Sequence, residues 1–588
     1  MKSVNCVVQD EPLNLKNMKT DLKHSKASLG LIFLTTLWLA VSPSSAQSPD
    51  LTAEPASIEG TLAGYVTLEQ FPKGTPQPGG LTHVLDRQLS SARESRKGKN
   101  AAHQNFQGLA LPRTSASALT SPSVLTAMLS FFPPNTFDEN SCGHYRIANG
   151  GLAVSANYMV EAGTSCMKVL NPSTGAVLAG PTPLSKFFGS SSNTASARAL
   201  YDPVNGRFLV SAEDYQTNLI YVAASQTSNP TLGWYIYSFP MAGTCNAGDN
   251  PKMGQTYQEA GDPQGAIYLA WDLYCPPNGP SNFVGAISKT LAYAGAPVTS
   301  INGFTGLSVG GVHVDYIQPA NVMNRGDHPR GEFLVNSFNL RFGGGSCVSG
   351  CSGIAVWNFY NGIPASGSSQ SITGVVVPTA NTYYLPPSAP QPGCAVNSCG
   401  PTTGQPVFGG EVTYSAGSLF GALNNGMGIL AIELEPEVDD SGNLTGGLMR
   451  NEICYACGGF GNGGQAYDAA IQPDSERNWT MVYNYSAPGT AGCTPDPNTC
   501  IYPSTAYLTH RVTQSQNTVD NNGTILALGQ AYYSQVNPAG QNRWSDYSAT
   551  APNYALPNSF WFDGAYAESN GSWGTVVAET GYTSPTQP

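Results

Sequence analysis

Between residues 199 and 239 the chain alternates apolar and polar positions in four short runs, ARALYDP, RFLVSAED, LIYVAASQ and GWYIYSF, set apart by PVNG and by polar loops. Period-two runs of β-branched and aromatic residues bounded by Gly, Asn, Asp and Pro predict strands. Four antiparallel strands in about 40 residues is the size of one propeller blade. The grammar recurs in DNPKMGQTY, AIYLAWDLY and FVGAISKTLAY (249–293), and in GQAYDAAIQP, NWTMVYNYSA, STAYLTHRV and ILALGQAYY (464–533). SDYSATAP, SFWFDGAYA and WGTVVAETGY supply a C-terminal unit, and looser copies begin at Tyr145, His313 and Glu411. Seven units over about 450 residues predict an all-β fold, a β-propeller of seven blades with four antiparallel strands each.

The last unit shows three strands. An incomplete blade would leave open strand edges, so a segment between residues 105 and 135 is expected to complete it, with VLTAMLSFF at 124–132 the best candidate. Residues 105–588 are therefore read as the propeller domain and 47–104 as a leader or linker region. The basic run RQLSSARESRKGKN (87–100) is read as a solvated linker or surface helix.

LGLIFLTTLWLAV (29–41) is apolar but short for a membrane span, follows Lys19, Lys23 and Lys26, and precedes the small residues Ser44 and Ala46. Residues 1–46 are expected to be a signal peptide cleaved after Ala46, with Met18 an alternative start. Removing them, with five Lys against three Asp/Glu, takes the net charge from −12 to −14. That acidity argues against nucleic acid as a partner. Twelve cysteines remain in close sequential couples: Cys142 and Cys166, Cys245 and Cys275, Cys347 and Cys351, Cys394 and Cys399, Cys454 and Cys457, Cys493 and Cys500. An even count so spaced suits disulfides between nearest neighbours in an exported chain. The expected location is outside the cell, in the periplasm or at the cell surface, as a monomer with no transmembrane segment after cleavage.

DNPKMG, SQTSNPTLGWYIYSFP (225–240), YPSTAY at Tyr502 and RWSDYSA…FWF…YA…WGT resemble a group of secreted bacterial β-propeller proteins of largely uncharacterised function. The resemblance covers residues 130–582 and implies the fold, not an activity. A looser similarity is to the sialidase-like propellers: YRIA at Tyr145 resembles the (F/Y)RIP element whose arginine binds a substrate carboxylate, which would assign that role to Arg146. The proline of that element and the family's repeated Asp-box are absent.

Acidic residues stand near the starts of the expected innermost strands at Asp202, Asp249, Asp315, Asp468 and Asp546. Gathered on one face they could bind Ca²⁺ or supply an acid and base for a glycosidic bond. Their recurrence favours a structural role at turns, since a catalytic residue has no reason to repeat around a ring. The catalytic candidates are Asp202, Asp468, Asp546, Arg146 and Arg543, with Arg198 and Arg543 placed to pair with Asp202 and Asp546. Most tryptophans lie inside strands and are expected between blades. CYAC at Cys454 lacks the strand–helix–strand context of a redox motif, and its expected role is a structural bridge. The scattered histidines offer no zinc spacing. No cofactor is expected. Together these features predict a secreted binding or scaffold propeller whose ligand is a carbohydrate or another protein. The alternative is a glycan-active hydrolase or lyase on the loop face. An enzyme would gather unlike polar groups on one face; a scaffold would keep the aspartates apart, each satisfied locally.

Overall fold

A computed structural model describes residues 50–71, 129–133, 135–139, 142, 148–192, 194–241, 245, 247–275, 279–327, 329–338, 347, 349–394, 405–520, 523–535 and 542–582. Within them the strands form seven radial sheets of four antiparallel strands, built from residues 150–183 (blade 1), 194–240 (blade 2), 247–309 (blade 3), 318–377 (blade 4), 412–455 (blade 5), 465–529 (blade 6) and 549–581 (blade 7). The innermost strands of blades 3, 4 and 5 also pair in parallel, Gln255 beside Asn321 and Ala320–Val322 beside Val412–Tyr414, so these blades share one ladder around the axis.

The fourth strand of blade 7 is Leu129–Phe131, paired antiparallel with Trp573–Gly581. It lies inside the 124–132 segment expected to close the ring. Phe131 stacks on Trp561 at 6.1 Å, and Thr136 donates from its hydroxyl to the Thr575 carbonyl at 2.7 Å. Burial of Phe131 and its neighbours drives this closure, since each buried large apolar side chain contributes about 1.5–3 kcal/mol.

The leader expected from residue 47 is not all leader. Leu51–Glu59 adds a fifth strand to the outer edge of blade 3, against Ser300–Val309. Thr61–Thr67 does the same for blade 2, against Gly233–Pro240. Gly60 makes the step between them: a Cβ there would sit 2.7 Å from the Val298 carbonyl oxygen and inside the Phe239 ring. These strands escape notice in the sequence because, Tyr65 apart, their outward faces are polar or small, so their alternation is faint. A second difference lies in SKTLAY, expected to continue a strand. The Ser288 hydroxyl accepts the Leu291 N–H at 3.2 Å, capping a helix over Lys289–Ala294 that Gly295 (φ 63°) ends.

The core lies between blades. Leu209, Ile220 and Val222 of blade 2 meet Ile267, Leu269 and Trp271 of blade 3, and the other interfaces repeat the arrangement. Trp234, Trp271, Trp357, Trp479, Trp544 and Trp573 are fully buried, which gives the aromatics an inter-blade role rather than a surface one. Disulfides join Cys142 to Cys166, Cys245 to Cys275, Cys347 to Cys351, Cys454 to Cys457 and Cys493 to Cys500. Cys394 is also disulfide-bonded, while Cys399 falls outside the described residues.

Candidate axial site

Three innermost strands carry a β-bulge centred on a left-handed residue that is not glycine: Ser196 (φ 58°), Asn250 (φ 57°) and Asp468 (φ 54°). A bulge adds one unpaired residue and re-aims the side chains beside it. In blades 2 and 3 the residue that resumes pairing is a cation, Arg198 and Lys252. Arg198 Nη1 and Lys252 Nζ both donate to the Gly409 carbonyl, each at 3.0 Å. The Arg198 guanidinium lies 3.3 Å above the Tyr547 ring centroid and Lys252 Nζ lies 5.1 Å from it.

Gly409 and Glu411 lead into blade 5 and Tyr547 into blade 7, so groups from non-neighbouring blades meet, which in a ring places them on the axis. The chain reaches that position because two glycines precede Glu411. A Cβ on Gly409 would stand 2.6 Å from the Asp546 carbonyl oxygen, and one on Gly410 2.6 Å from the Ala470 Cβ. Arg198, Lys252, Glu411 and Tyr547 are at most 5 % exposed, so the axis is filled by a polar plug at this level. Burial holds the Lys252 ammonium well below the usual lysine range, and the Arg198 charge adds to it. Burial also raises the Glu411 carboxyl, partly offset by Arg198 and Lys252.

Beside the plug stand two more buried acids. Burial pushes Glu161 up to about 7, against the pull of Lys168 and a hydrogen bond from the Thr575 hydroxyl at 2.7 Å. Asp563 is raised well above the carboxylate range by burial and then by the charges of Glu161 and Glu411. These acids belong to a repeat that reading the innermost strands missed. The second strand of every blade carries at least one buried acid or amide, among them Glu161, Glu213, Asp272, Asn336, Asn424, Asn484 and Asp563. Two of them hold the next blade's left-handed residue. Asp272 accepts the Tyr316 N–H at 3.0 Å and Asn424 the Asp468 N–H at 2.8 Å. The signal was present as an acid or amide after an apolar strand core, in LVSAED, LAWDL, LVNSF, GALNN, VYNYS and FWFDG.

The sequence-predicted aspartates are not equivalent. Asp202 ends the innermost strand of blade 2 instead of beginning it. It pairs with Lys289 at 2.7 Å, accepts the Tyr293 hydroxyl at 2.7 Å and takes the N–H groups of Val204 and Asn205. Burial alone would raise its carboxyl; Lys289 and Asn205 outweigh that and hold it below the usual range. Lys289, not Arg198, is its ion partner, because Arg198 points to the axis. Asp468 occupies a bulge, with Asn424 Nδ2 donating to it at 3.2 Å. Asp546 precedes the innermost strand of blade 7, and Arg543 Nη2 donates to both its oxygens at 3.1 Å. Asn149 accepts the Asp546 N–H at 2.8 Å. Arg543 and Asp546 keep 12 % and 28 % side-chain exposure, so the pair forms a mouth over the plug, held from behind by buried Asn149. Asp249 and Asp315 lie at the bulge of blade 3 and on the lead-in to blade 4. Arg146 falls outside the described residues. Among the described residues no group of three or more His, Cys, Asp or Glu is placed to hold a metal ion.

No family model matches the chain, and no curated protein does. Solved structures with similar arrangement include Hsv2 of Kluyveromyces lactis, at 8 % identity over 73 % of this chain and 96 % of that one, with a TM-score of 0.32. The WD40 domain of Toxoplasma gondii coronin matches at 9 % identity over 79 % and 89 %, with a TM-score of 0.30. An α-L-arabinofuranosidase, Arb93A of Fusarium graminearum, matches at 11 % identity over 66 % and 93 %, with a TM-score of 0.25. The propeller assignment rests on the strand topology itself.

Proposed function

We propose that the chain is a secreted propeller that binds a carbohydrate or another protein at the axial mouth of Asn149, Arg543 and Asp546. The observation that carries this reading is the contrast in use of the acids. Asp202 and Asp468 are tied into the scaffold, and Glu161, Glu411 and Asp563 are sealed in it, whereas the Arg543 guanidinium and the Asp546 carboxylate stand partly exposed at the mouth, with the buried Asn149 amide behind them. Such a trio offers donors and acceptors that fork onto hydroxyl or carboxylate groups. Among the described residues the other axial acids, Glu161, Glu411 and Asp563, are at most 5 % exposed, which favours binding over glycoside hydrolysis. Export is supported by the short-range disulfides and by the apolar segment at 29–41; no helix among the described residues is long and apolar enough to cross a membrane.

The test is a glycan and protein-ligand array with product analysis, run on the mature protein and on Arg543→Ala. Binding without turnover, lost in the variant while the melting curve is kept, is the expected result. Release of shortened glycans would replace this reading with the hydrolase, and binding unaffected by Arg543→Ala would move the site elsewhere.

A further inference from the structure

Cys454 lies near the end of the last strand of blade 5, and Cys457 follows the left-handed Ala456 (φ 51°) just beyond it. Their ring is the shortest of the described bridges, with a sequence separation of 3, against 24 for Cys142–Cys166 and 30 for Cys245–Cys275. A short ring constrains the unfolded chain little, so opening it costs the fold little. Both sulfur-bearing residues are half-buried, as are both cysteines of Cys245–Cys275, whereas Cys142, Cys166, Cys347 and Cys500 are at most 5 % exposed. The neighbouring Gly458 is exposed, and a side chain there would meet nothing within 4 Å, so the approach from solvent is open.

Behind the bridge stands Asn425, 1 % exposed. Its Oδ1 accepts the Tyr384 N–H at 3.0 Å and its Nδ2 donates to the Thr382 carbonyl at 3.3 Å, which fixes the amide's orientation. The same Nδ2 stands 3.3 Å from Cys454 Sγ and 3.2 Å from Cys457 Sγ. A purely structural bridge has no need of a donor held on both sulfurs. A bridge that opens does, because the sulfur that leaves carries a negative charge, and an N–H aimed at it stabilises the thiolate.

We propose that Cys454–Cys457 is a thiol–disulfide exchange site, reduced by an external dithiol and reoxidised without unfolding of the propeller. A thiolate of the reductant attacks one sulfur, forming a mixed disulfide, and the other sulfur leaves as a thiolate beneath Asn425. The reductant's second thiol then displaces the protein sulfur and closes its own disulfide. Two electrons and two protons pass to the protein, leaving Cys454 and Cys457 as thiols. This site is separate from the axial mouth and does not depend on ligand binding there.

The experiment exposes the full mature chain to limiting dithiothreitol, traps thiols by alkylation over time, and reads each bridge by peptide mass spectrometry alongside the melting curve. The expected result is that Cys454–Cys457 opens about tenfold or more faster than any other bridge, with the melting temperature unchanged, and that Asn425→Ala slows that opening severalfold. A Cys454→Ser/Cys457→Ser double variant is expected to fold and melt as the parent does, which keeps the test independent of whether Asn425→Ala folds. Opening no faster than at Cys245–Cys275, opening only with unfolding, or a double variant that does not fold would each overturn the proposal.

Discussion

The two ends of the axis use the same chemistry to opposite effect. At one end Lys289 meets Asp202 with both side chains fully buried; at the other Arg543 meets Asp546 with both partly wet. Distance barely separates the pairs, 2.7 Å against 3.1 Å. Surroundings do. The Asp202 pair is enclosed by Tyr293, by Gln255, which accepts from Lys289 at 3.0 Å, and by the Tyr257 ring 4.6 Å from Lys289 Nζ. A buried pair is costly to form and far costlier to break singly, whereas a partly exposed pair contributes less to stability and can meet a ligand. An ion pair read from sequence therefore says little about role until its burial is known.

The largest test of that contrast is Lys289→Met, which strands Asp202 in the sealed end and is expected to cost about 3–5 kcal/mol, read from urea unfolding. A loss under 1 kcal/mol would mean the end is not sealed. Next is the plug between the ends. Burial pushes the Glu161 carboxyl up to about 7 from an ordinary 4.5. Between those values the folded state keeps a proton that the unfolded chain has lost, so stability falls as pH rises through this window, by up to about 3 kcal/mol. Glu161→Gln is expected to remove that part of the slope in unfolding midpoints taken from pH 4.5 to 7.5; an unchanged slope would count against a dry plug. Gly409→Ala drives a methyl toward the Asp546 carbonyl and is expected to cost about 1–3 kcal/mol, with weaker ligand binding because the mouth moves. The smallest effect belongs to Arg543→Ala, expected to change stability by about 0–1 kcal/mol while abolishing binding. That split between stability and binding is what separates the open end from the sealed one.

Most of the fold was legible because its signals are local. LIYVAAS and SFWFDGAYA announce strands by their own alternation, and the three-strand C-terminal unit called for a partner found at Leu129–Phe131. The strands over 51–67 were not legible, since their order comes from blades 2 and 3 far along the chain. The site was legible only in part. Asp546 and Arg543 were named as a pair and are one. Asp202, taken as their counterpart, lies at the other end of its strand, because the innermost strand of blade 2 runs from Thr194 and through a bulge that no local pattern marks. Arg198 was expected beside Asp202 for the same reason; the bulge turns it to the axis.

Sequence by itself determined the propeller class, the need for a closing strand, the aromatic character of the core and the stock of acids and cations, since each follows from composition and short-range periodicity. Only the tertiary structure decided which of those charges meet. Arg198, Lys252, Gly409 and Tyr547 are brought together from across a ring, and Asn425 is set behind the Cys454–Cys457 bridge by the hairpin of blade 5. Contacts of that range depend on closure of the whole circle, and burial, which sets whether a charge stabilises, titrates or binds, exists only once the circle is closed.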